Sequence, residues 1–265
     1  MAAAAAIAWV FVSDAAAQTG QQSTPPKPSC DRAQFGVLLD VGHTAEAPGA
    51  ISVRSVPEYD FNLNLARQIE RALVSAGFSK TIVQITAGPA LPALVRRVAN
   101  ANAAKVDLLV SIHHDSVPEW LLQHMDEEGG PKRFSDRYRG HSIFVSYENA
   151  DQAASLQFAR TLGRQLKASG LQFTPHYTEK VMRGRQRELL DKEAGVYRFD
   201  KLYVLRAARM PAVLFEAGLI INPAEESALA GEERQKRVAV AVKDAVETFC
   251  SARASTTVTA SRKRK

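Results

Sequence analysis

Three polar side chains stand where apolar, strand-like segments of the chain end; they are His43, His113 and Glu216. Catalytic and binding groups of open α/β sheets concentrate at the carboxyl ends of the strands. A lone histidine at a strand end is more often structural, so no single residue of the three carries the argument. Three candidates from three separate strands predict a common site at one sheet edge.

Glu58 is a fourth candidate, at the start of a helical pattern. It precedes Phe61 and Leu65 by three and seven residues, so it shares their core-facing stripe. A carboxylate that points inward is costly unless it meets a cation or good hydrogen-bond donors. A glutamate in the first turn is also favoured by the helix dipole. The helical pattern alone leaves both interpretations open.

Two histidines and one carboxylate have the composition of a catalytic zinc site. Three protein ligands leave an open fourth position on a tetrahedral Zn²⁺ ion. Zinc lowers the pKa of a bound water to about 7 and polarises a carbonyl group. Glu216 would then serve as the general base that takes the proton of this water and returns it to a leaving amine.

The elements that must position these residues alternate between short strands and helices. Strands are predicted at residues 35–40, 81–85, 107–113, 142–147, 202–205 and 212–216. Helices are predicted at residues 58–76, 91–104, 151–169 and 232–249. This alternation predicts a single α/β domain over residues 35–250, with a mostly parallel or mixed sheet flanked by helices and the zinc at the carboxyl edge of the strands.

The two ends of the chain differ from this central part. Residues 1–17 contain an apolar run and end in Ala15-x-Ala17, which predicts a signal peptide, although no Lys or Arg precedes the run. Residues 18–34 are predicted to be a linker, and residues 251–265 a basic, disordered tail. An exported protein follows from this, in the periplasm or outside the cell. In that oxidising environment Cys30 and Cys250 could form one disulfide.

Charge gives no support for a nucleic-acid partner. The 265 residues carry a formal net charge of +6, and five of the cations lie in the last 13 residues. The high isoelectric point therefore comes from the tail. A nucleic-acid binder that used this tail would lose its binding when residues 253–265 were removed.

Several ordered motifs carry a resemblance to a known family. They are Asp40-Val-Gly-His43, Ser111-Ile-His113-His114-Asp115, Val204-Leu-Arg206, and the run from Pro211-Ala-Val-Leu-Phe-Glu216 to Asn222-Pro223. In this order and spacing the chain resembles the zinc-dependent N-acetylmuramoyl-L-alanine amidases of the Amidase_3 family. The resemblance extends from about Gly36 to about Thr248.

This resemblance implies a set of roles and a substrate. His43, Glu58 and His113 would be zinc ligands, and Glu216 the catalytic base. The substrate would be the peptidoglycan amide between N-acetylmuramic acid and the L-alanine of the stem peptide. Further residues of the motifs would contact the substrate or support the site: Asp40, His114, Asp115, Arg206 and Asn222.

His114 departs from the family pattern, which usually has alanine there. Two adjacent histidines thus compete for one ligand position, and strand alternation places only one of them on the metal face. The motif favours His113. His114 either contacts the substrate or packs.

Two polar segments are longer than a minimal family member requires. Residues 117–139 and 176–194 either act as a lid over the zinc, which a partner would remove, or are surface excursions. The arginines at 183, 185 and 187 would steer an anionic stem peptide or form a solvated face. The expected partners are peptidoglycan and an activator protein, and the expected state is a monomer. The rival hypotheses are a catalytically silent peptidoglycan-binding module and a zinc peptidase that cuts within the stem peptide.

Overall fold

The computed structural model describes Met1, residues 30–127 and residues 130–262. The predicted signal peptide of residues 1–17, apart from Met1, lies outside the described residues, as do positions 18–29 of the predicted linker. Within the described part of the chain, no helix combines the length and the apolar character that a membrane span requires.

Nine strands and six helices form the described domain. The strands are β1 Val37–Val41, β2 Thr81–Gln84, β3 Leu108–Asp115, β4 Gln123–Glu127, β5 Gly130–Phe134, β6 Ser142–Val145, β7 Glu188–Asp191, β8 Val196–Arg198 and β9 Ala212–Leu219. The helices are α1 Glu58–Ser75, α2 Ala90–Ala104, α3 Gln152–Ala168, α4 Tyr203–Arg206, α5 Pro223–Ala230 and α6 Glu232–Arg262.

Seven of the strands form one mixed sheet in the order β2-β1-β3-β9-β6-β8-β7. Strands β2, β1, β3 and β9 are mutually parallel, whereas β6 runs antiparallel to β9. Strand β8 is parallel to β6, and β7 is antiparallel to β8. The carboxyl ends of β1, β3 and β9 therefore meet at one edge. The prediction of a single α/β domain with a mostly parallel or mixed sheet is confirmed.

Helices cover both faces of this sheet, which explains why its central strands are apolar at nearly every position. One face packs against α1, α3 and α6 in a core that includes Leu39, Val110 and Phe215. The other face packs against α2 and α4 through Leu38 and Leu109. Alternate residues of each strand thus enter different cores.

The predicted strand at 202–205 is wrong, because Tyr203–Arg206 forms the short helix α4. An apolar run of four residues is too short for periodicity to distinguish a strand from a helix. Both positions beside β9 in the sheet are taken by β3 and β6. Val204 and Leu205 instead bury their side chains on one face of the sheet.

The segment of residues 117–139 contains an antiparallel hairpin of β4 and β5 that sequence patterns did not predict. Its strands carry mostly polar residues, so no alternation marks them. Residues 176–194 contain 3-10 turns at His176–Thr178 and Lys180–Arg185, followed by β7. Helix α5 was also not predicted.

The C-terminal boundary differs from the prediction as well. Helix α6 continues to Arg262, so the prediction of a disordered tail over 251–265 is wrong for its described part. Residues 251–262 contain neither Gly nor Pro, and nothing in them stops a helix that has begun upstream.

The start of the chain's folded part is tied to this helix. Cys30 and Cys250 form a disulfide across a sequence separation of 220 residues. Arg32 donates to the backbone oxygen of Ala76 at 3.1 Å and pairs with Glu247 on α6. Residues 30–34 of the predicted linker are therefore attached to the domain.

Candidate metal centre

His43, Glu58 and His113 lie together at the carboxyl edge of β1 and β3. One potential ligand atom from each lies within 4.8 Å of the others. His43 Nε2 is 3.1 Å from Glu58 Oε2, and His113 Nδ1 is 2.9 Å from Glu58 Oε1. The three residues come from the loop after β1, the first position of α1 and the end of β3, so the fold assembles a cluster that is dispersed in the sequence.

Backbone and side-chain contacts hold the carboxylate of Glu58 in this cluster. Its side chain is 6% exposed. The backbone N–H of Ala50 donates to Oε2 at 3.1 Å, and Asn62 Nδ2 donates to Oε1 at 3.2 Å. The Glu58 carboxylate therefore points inward, which was one of the two interpretations of the helical stripe, and it has the donors that its burial requires.

Glycines leave the space that the cluster occupies. A Cβ atom on Gly42 would lie 2.5 Å from His113 Cε1 and 2.6 Å from the backbone oxygen of Ile112. A Cβ atom on Gly49, whose φ is +82°, would lie 2.5 Å from Glu58 Oε2 and 2.7 Å from His43 Cδ2. No larger residue fits either position without displacing a candidate ligand.

The electrostatics of the cluster favour a charged Glu58 carboxylate beside a neutral His113 imidazole. Burial by itself raises the pKa of Glu58, but hydrogen bonds with His113 and His43 outweigh it and hold that pKa well below its usual value. Burial lowers the pKa of His113, against the opposing effect of Glu58. Two imidazole nitrogens and one carboxylate form a donor set that suits a divalent zinc-type ion.

Glu216 lies beside this cluster on β9, directly across from His113 in the sheet. Its Oε2 atom is buried and has no hydrogen-bond partner within the described part of the chain. Burial, together with the charges of Asp115 and Glu58, raises the pKa of Glu216 well above its usual value. A carboxyl group in this environment has a high affinity for a proton.

Asp115 lies at the end of β3 and is 7% exposed. Tyr177 Oη lies 3.0 Å from both of its carboxylate oxygens, and the Ser116 N–H donates to Oδ1 at 2.8 Å. Burial raises the pKa of Asp115 to about 7, although these hydrogen bonds oppose the rise. Sequence reasoning missed Tyr177, because it lies in a charged segment without periodicity.

His114 and Asp40 support the site from positions outside the cluster. His114 is on the other side of β3, where its Nδ1 is 2.8 Å from Asn62 Oδ1, and burial lowers its pKa to about 3. Asp40 accepts hydrogen bonds from Arg97 Nε at 2.7 Å and from Ser111 Oγ at 2.8 Å. Asp40 thereby joins α2 to the sheet.

Arg206 and Asn222 contact other parts of the domain. Arg206 is 47% exposed on α4, with its guanidinium 3.7 Å from Glu148. Asn222 caps α5, since its Oδ1 accepts from the N–H groups of Ala224 and Glu225. Its Nδ2 donates to backbone oxygens of Asp136 and Tyr138. Asn222 therefore holds the turn that follows β9.

The two long polar segments contact each other. Trp120 Nε1 donates to the backbone oxygen of Val181 at 3.0 Å, and the Arg183 guanidinium lies 4.8 Å from the Trp120 ring centre. Within the described residues, the cluster of candidate metal ligands contains no side chain from either segment. Their function as a lid stays a prediction.

The chain matches the Amidase_3 family, described as N-acetylmuramoyl-L-alanine amidase, over residues 37–248, and it belongs to this family. It is similar to the N-acetylmuramoyl-L-alanine amidase AmiC of Neisseria meningitidis, with 26% identity over 253 residues. That alignment covers 86% of this chain and 56% of the relative. The N-acetylmuramoyl-L-alanine amidase Rv3717 of Mycobacterium tuberculosis is 26% identical over 209 residues, which are 77% of this chain and 73% of that protein.

The chain thus spans about half the length of AmiC.

Solved structures of amidases share the fold of this chain, and two of them illustrate the likeness. The amidase Ami1 from Mycobacterium smegmatis has a TM-score of 0.63 at 22% identity and covers 83% of this chain and 98% of its own. The catalytic domain of CwlV, an N-acetylmuramoyl-L-alanine amidase from Bacillus (Paenibacillus) polymyxa, has a TM-score of 0.57 at 27% identity. The match covers 81% of this chain and 97% of the CwlV domain.

Proposed function

We propose that this protein is a zinc-dependent N-acetylmuramoyl-L-alanine amidase that hydrolyses the bond between N-acetylmuramic acid and the L-alanine of the stem peptide in peptidoglycan. The observation that carries the proposal is the cluster of His43, Glu58 and His113 beside the buried, unpartnered Oε2 of Glu216. Membership of the amidase family supports the choice of substrate.

His43, Glu58 and His113 would hold the ion. When bound there, Zn²⁺ supplies a Lewis acid for the scissile carbonyl and lowers the pKa of water. Glycines 42 and 49 keep the space for these three side chains, and Ala50 and Asn62 hold the Glu58 carboxylate in place.

Glu216 would move the proton. Its Oε2 takes a proton from the attacking water and delivers it to the leaving nitrogen. The raised pKa of Glu216 suits this exchange, because burial strengthens its hold on the proton between the two transfers. Tyr177 holds Asp115 in place through a hydrogen bond, and the charge of Asp115 helps to raise the pKa of Glu216.

The chain would work outside the cytoplasm, where peptidoglycan lies. Residues 1–17 would direct export and residues 18–34 would link them to the catalytic domain at 35–250. We include an activator protein among its partners, since the solved structure of the CwlD amidase from Clostridioides difficile, a fold neighbour, is a complex with the GerS lipoprotein. Monomeric enzyme is expected.

The test is zinc content and product analysis on the full chain beside His113→Ala and Glu216→Gln variants. We expect about one zinc per chain, loss of zinc in His113→Ala, and retained zinc without turnover in Glu216→Gln. The products from muropeptides should be peptides with a free N-terminal alanine. Peptidoglycan binding without any hydrolysis would support a silent binding module instead, and fragments cut within the stem peptide would support a zinc peptidase.

A further inference from the structure

An apolar cavity of about 220 Å³ adjoins the candidate metal centre. His43 and His113 form part of its wall. The rest of the wall is mainly apolar and includes Ala90, Leu94, Leu202, Val204 and Leu214. A group that enters this cavity therefore lies next to two of the three candidate ligands.

Three elements build the cavity on one face of the sheet. Helix α2 contributes its first two turns, which begin at Ala90 after Pro89. Helix α4 and the residue before it contribute a second wall. Leu214 precedes Glu216 by two positions on β9 and so projects to the same face. The cavity thus belongs to the same side of the sheet as the proposed base.

The chemistry of the wall favours an apolar occupant. Thr44 Oγ1 already donates to the backbone oxygen of Gly88 at 2.8 Å and accepts from the Ala47 N–H at 2.9 Å. Arg97 is engaged by Asp40. Thr44 and Arg97 are thus satisfied within the protein, and Tyr203 is the remaining polar side chain of the wall besides the two histidines. A group that binds in the cavity therefore gains free energy mainly by burying apolar surface.

Resting on the proposed amidase function, we propose that this cavity binds the side chain of the first stem-peptide residue, on the amine side of the scissile bond. The methyl group of alanine, or a longer alkyl side chain, brings no polar atoms into the cavity. The lactyl methyl on the other side is tethered to a sugar, whose hydroxyl groups would be drawn against apolar walls at a cost.

The size of the cavity predicts a preference for side chains larger than that of L-alanine at the first position of the stem peptide. Its volume is several times the roughly 30 Å³ that one water occupies in the liquid, so a single alanine methyl leaves it underfilled. The enzyme therefore accepts larger apolar residues in place of L-alanine. Ala90, the first residue of α2, limits the length of the side chain that the cavity can hold.

The test compares muropeptides that differ only in the first stem residue: glycine, L-alanine, L-2-aminobutyrate or L-norvaline. For the wild-type chain we expect kcat/KM to rise about fourfold per added methylene up to L-2-aminobutyrate or L-norvaline. Ala90→Phe should cancel this rise, lowering kcat/KM about tenfold for the two larger residues and little for glycine. Ala90 is exposed in the first helical turn, so the fold tolerates the change.

Leu91→Phe is the matched control, since Leu91 is 71% exposed and lies outside the cavity wall. Binding of the free peptides to the wild-type and Ala90→Phe chains in the presence of chelator gives a readout without turnover. There the Kd of the wild type should fall with each methylene, and that of Ala90→Phe should not.

Two outcomes would overturn the inference while leaving the amidase function intact. One is a steady loss of kcat/KM with each added methylene in the wild type. The other is an equal effect of Ala90→Phe on all four substrates. If the wild type released no peptide from any of them, the amidase proposal would fail and this inference with it.

Discussion

At the scale of single residues, the candidate metal centre depends on two glycines, which have no side chain, as well as on its three candidate ligands. Gly42 and Gly49 occupy positions where a Cβ atom would lie within 2.7 Å of a candidate ligand. Groups that orient metal ligands commonly change metal affinity by ten- to a hundredfold when they are altered. The spacing of Asp40-Val-Gly-His43 is thus a steric requirement as well as a recognition pattern.

We predict that Gly42→Ala weakens zinc binding at least tenfold, because the added methyl pushes against His113. Competition with a chelator of known affinity measures the effect. Gly184→Ala is the matched control, since no atom lies within 4 Å of a Cβ placed there. Equal zinc affinities in the wild type and in a folded Gly42→Ala chain would contradict the steric argument.

Buried histidines outside the cluster make the fold sensitive to acid. His141 is 2% exposed, and burial lowers its pKa to about 4. In the unfolded chain a histidine binds a proton near pH 6.5. Between those pH values the unfolded state holds more protons, so stability is lost as the pH falls from about 6.5 to about 4.

We predict that His141→Phe reduces this loss by an amount on the order of 2 to 3 kcal/mol between pH 7 and pH 4.5. Denaturant unfolding at both pH values measures it. His124→Phe serves as the control, because the His124 side chain is 61% exposed. An identical pH dependence in the wild type and in His141→Phe would show that His141 takes up no proton on unfolding.

At the scale of elements, the segment of residues 176–194 is fixed to the site by its first turn. Tyr177 bonds the buried carboxylate of Asp115, and its ring packs 5.1 Å from the Phe144 ring. Met182 and Ala194 are buried as well. This segment therefore supports the end of β3 in the state that the structure describes.

We predict that Tyr177→Phe lowers the free energy of unfolding by about 1–3 kcal/mol, because Asp115 then loses a hydrogen-bond donor in a buried position. Chemical denaturation compares it with Tyr147→Phe, whose ring stays available to the Arg198 guanidinium. If the two variants unfolded at the same denaturant concentration, the bond to Asp115 would contribute nothing to stability.

At the scale of the whole molecule, the disulfide joins the segment before β1 to the closing helix. Cys30 and Cys250 are 220 residues apart, so the crosslink closes nearly the entire folded chain into one loop. Crosslinks of this kind act largely by restricting the unfolded state, and long loops gain most in the entropic account. The disulfide lies toward the amino end of β1, away from the proposed metal ligands.

We predict that the Cys30→Ala, Cys250→Ala double variant loses about 2–5 kcal/mol of unfolding free energy while it still binds zinc. Denaturant unfolding and metal analysis measure the two properties separately. Reductant should destabilise the wild type and leave the double variant unchanged. Loss of zinc binding in a folded double variant would show that the crosslink also positions the site.

The sequence by itself determined the α/β class, most central strands and helices, and the family. These depend on local periodicity and on motifs such as Ser111-Ile-His113, which are readable along the chain. The helical stripe placed Glu58 on the core-facing side of α1 but left open whether its carboxylate is a ligand. Each of these features arises from neighbours a few residues away.

Only the tertiary structure decided the features that depend on distant partners. Helix α4 replaced a predicted strand because both positions beside β9 were occupied. Tyr177 reached Asp115 from a segment 62 residues away along the chain. The apolar cavity exists because α2, α4 and β9 approach one another beside His43 and His113. Contacts of this kind follow from packing in three dimensions, which no short-range pattern in the chain records.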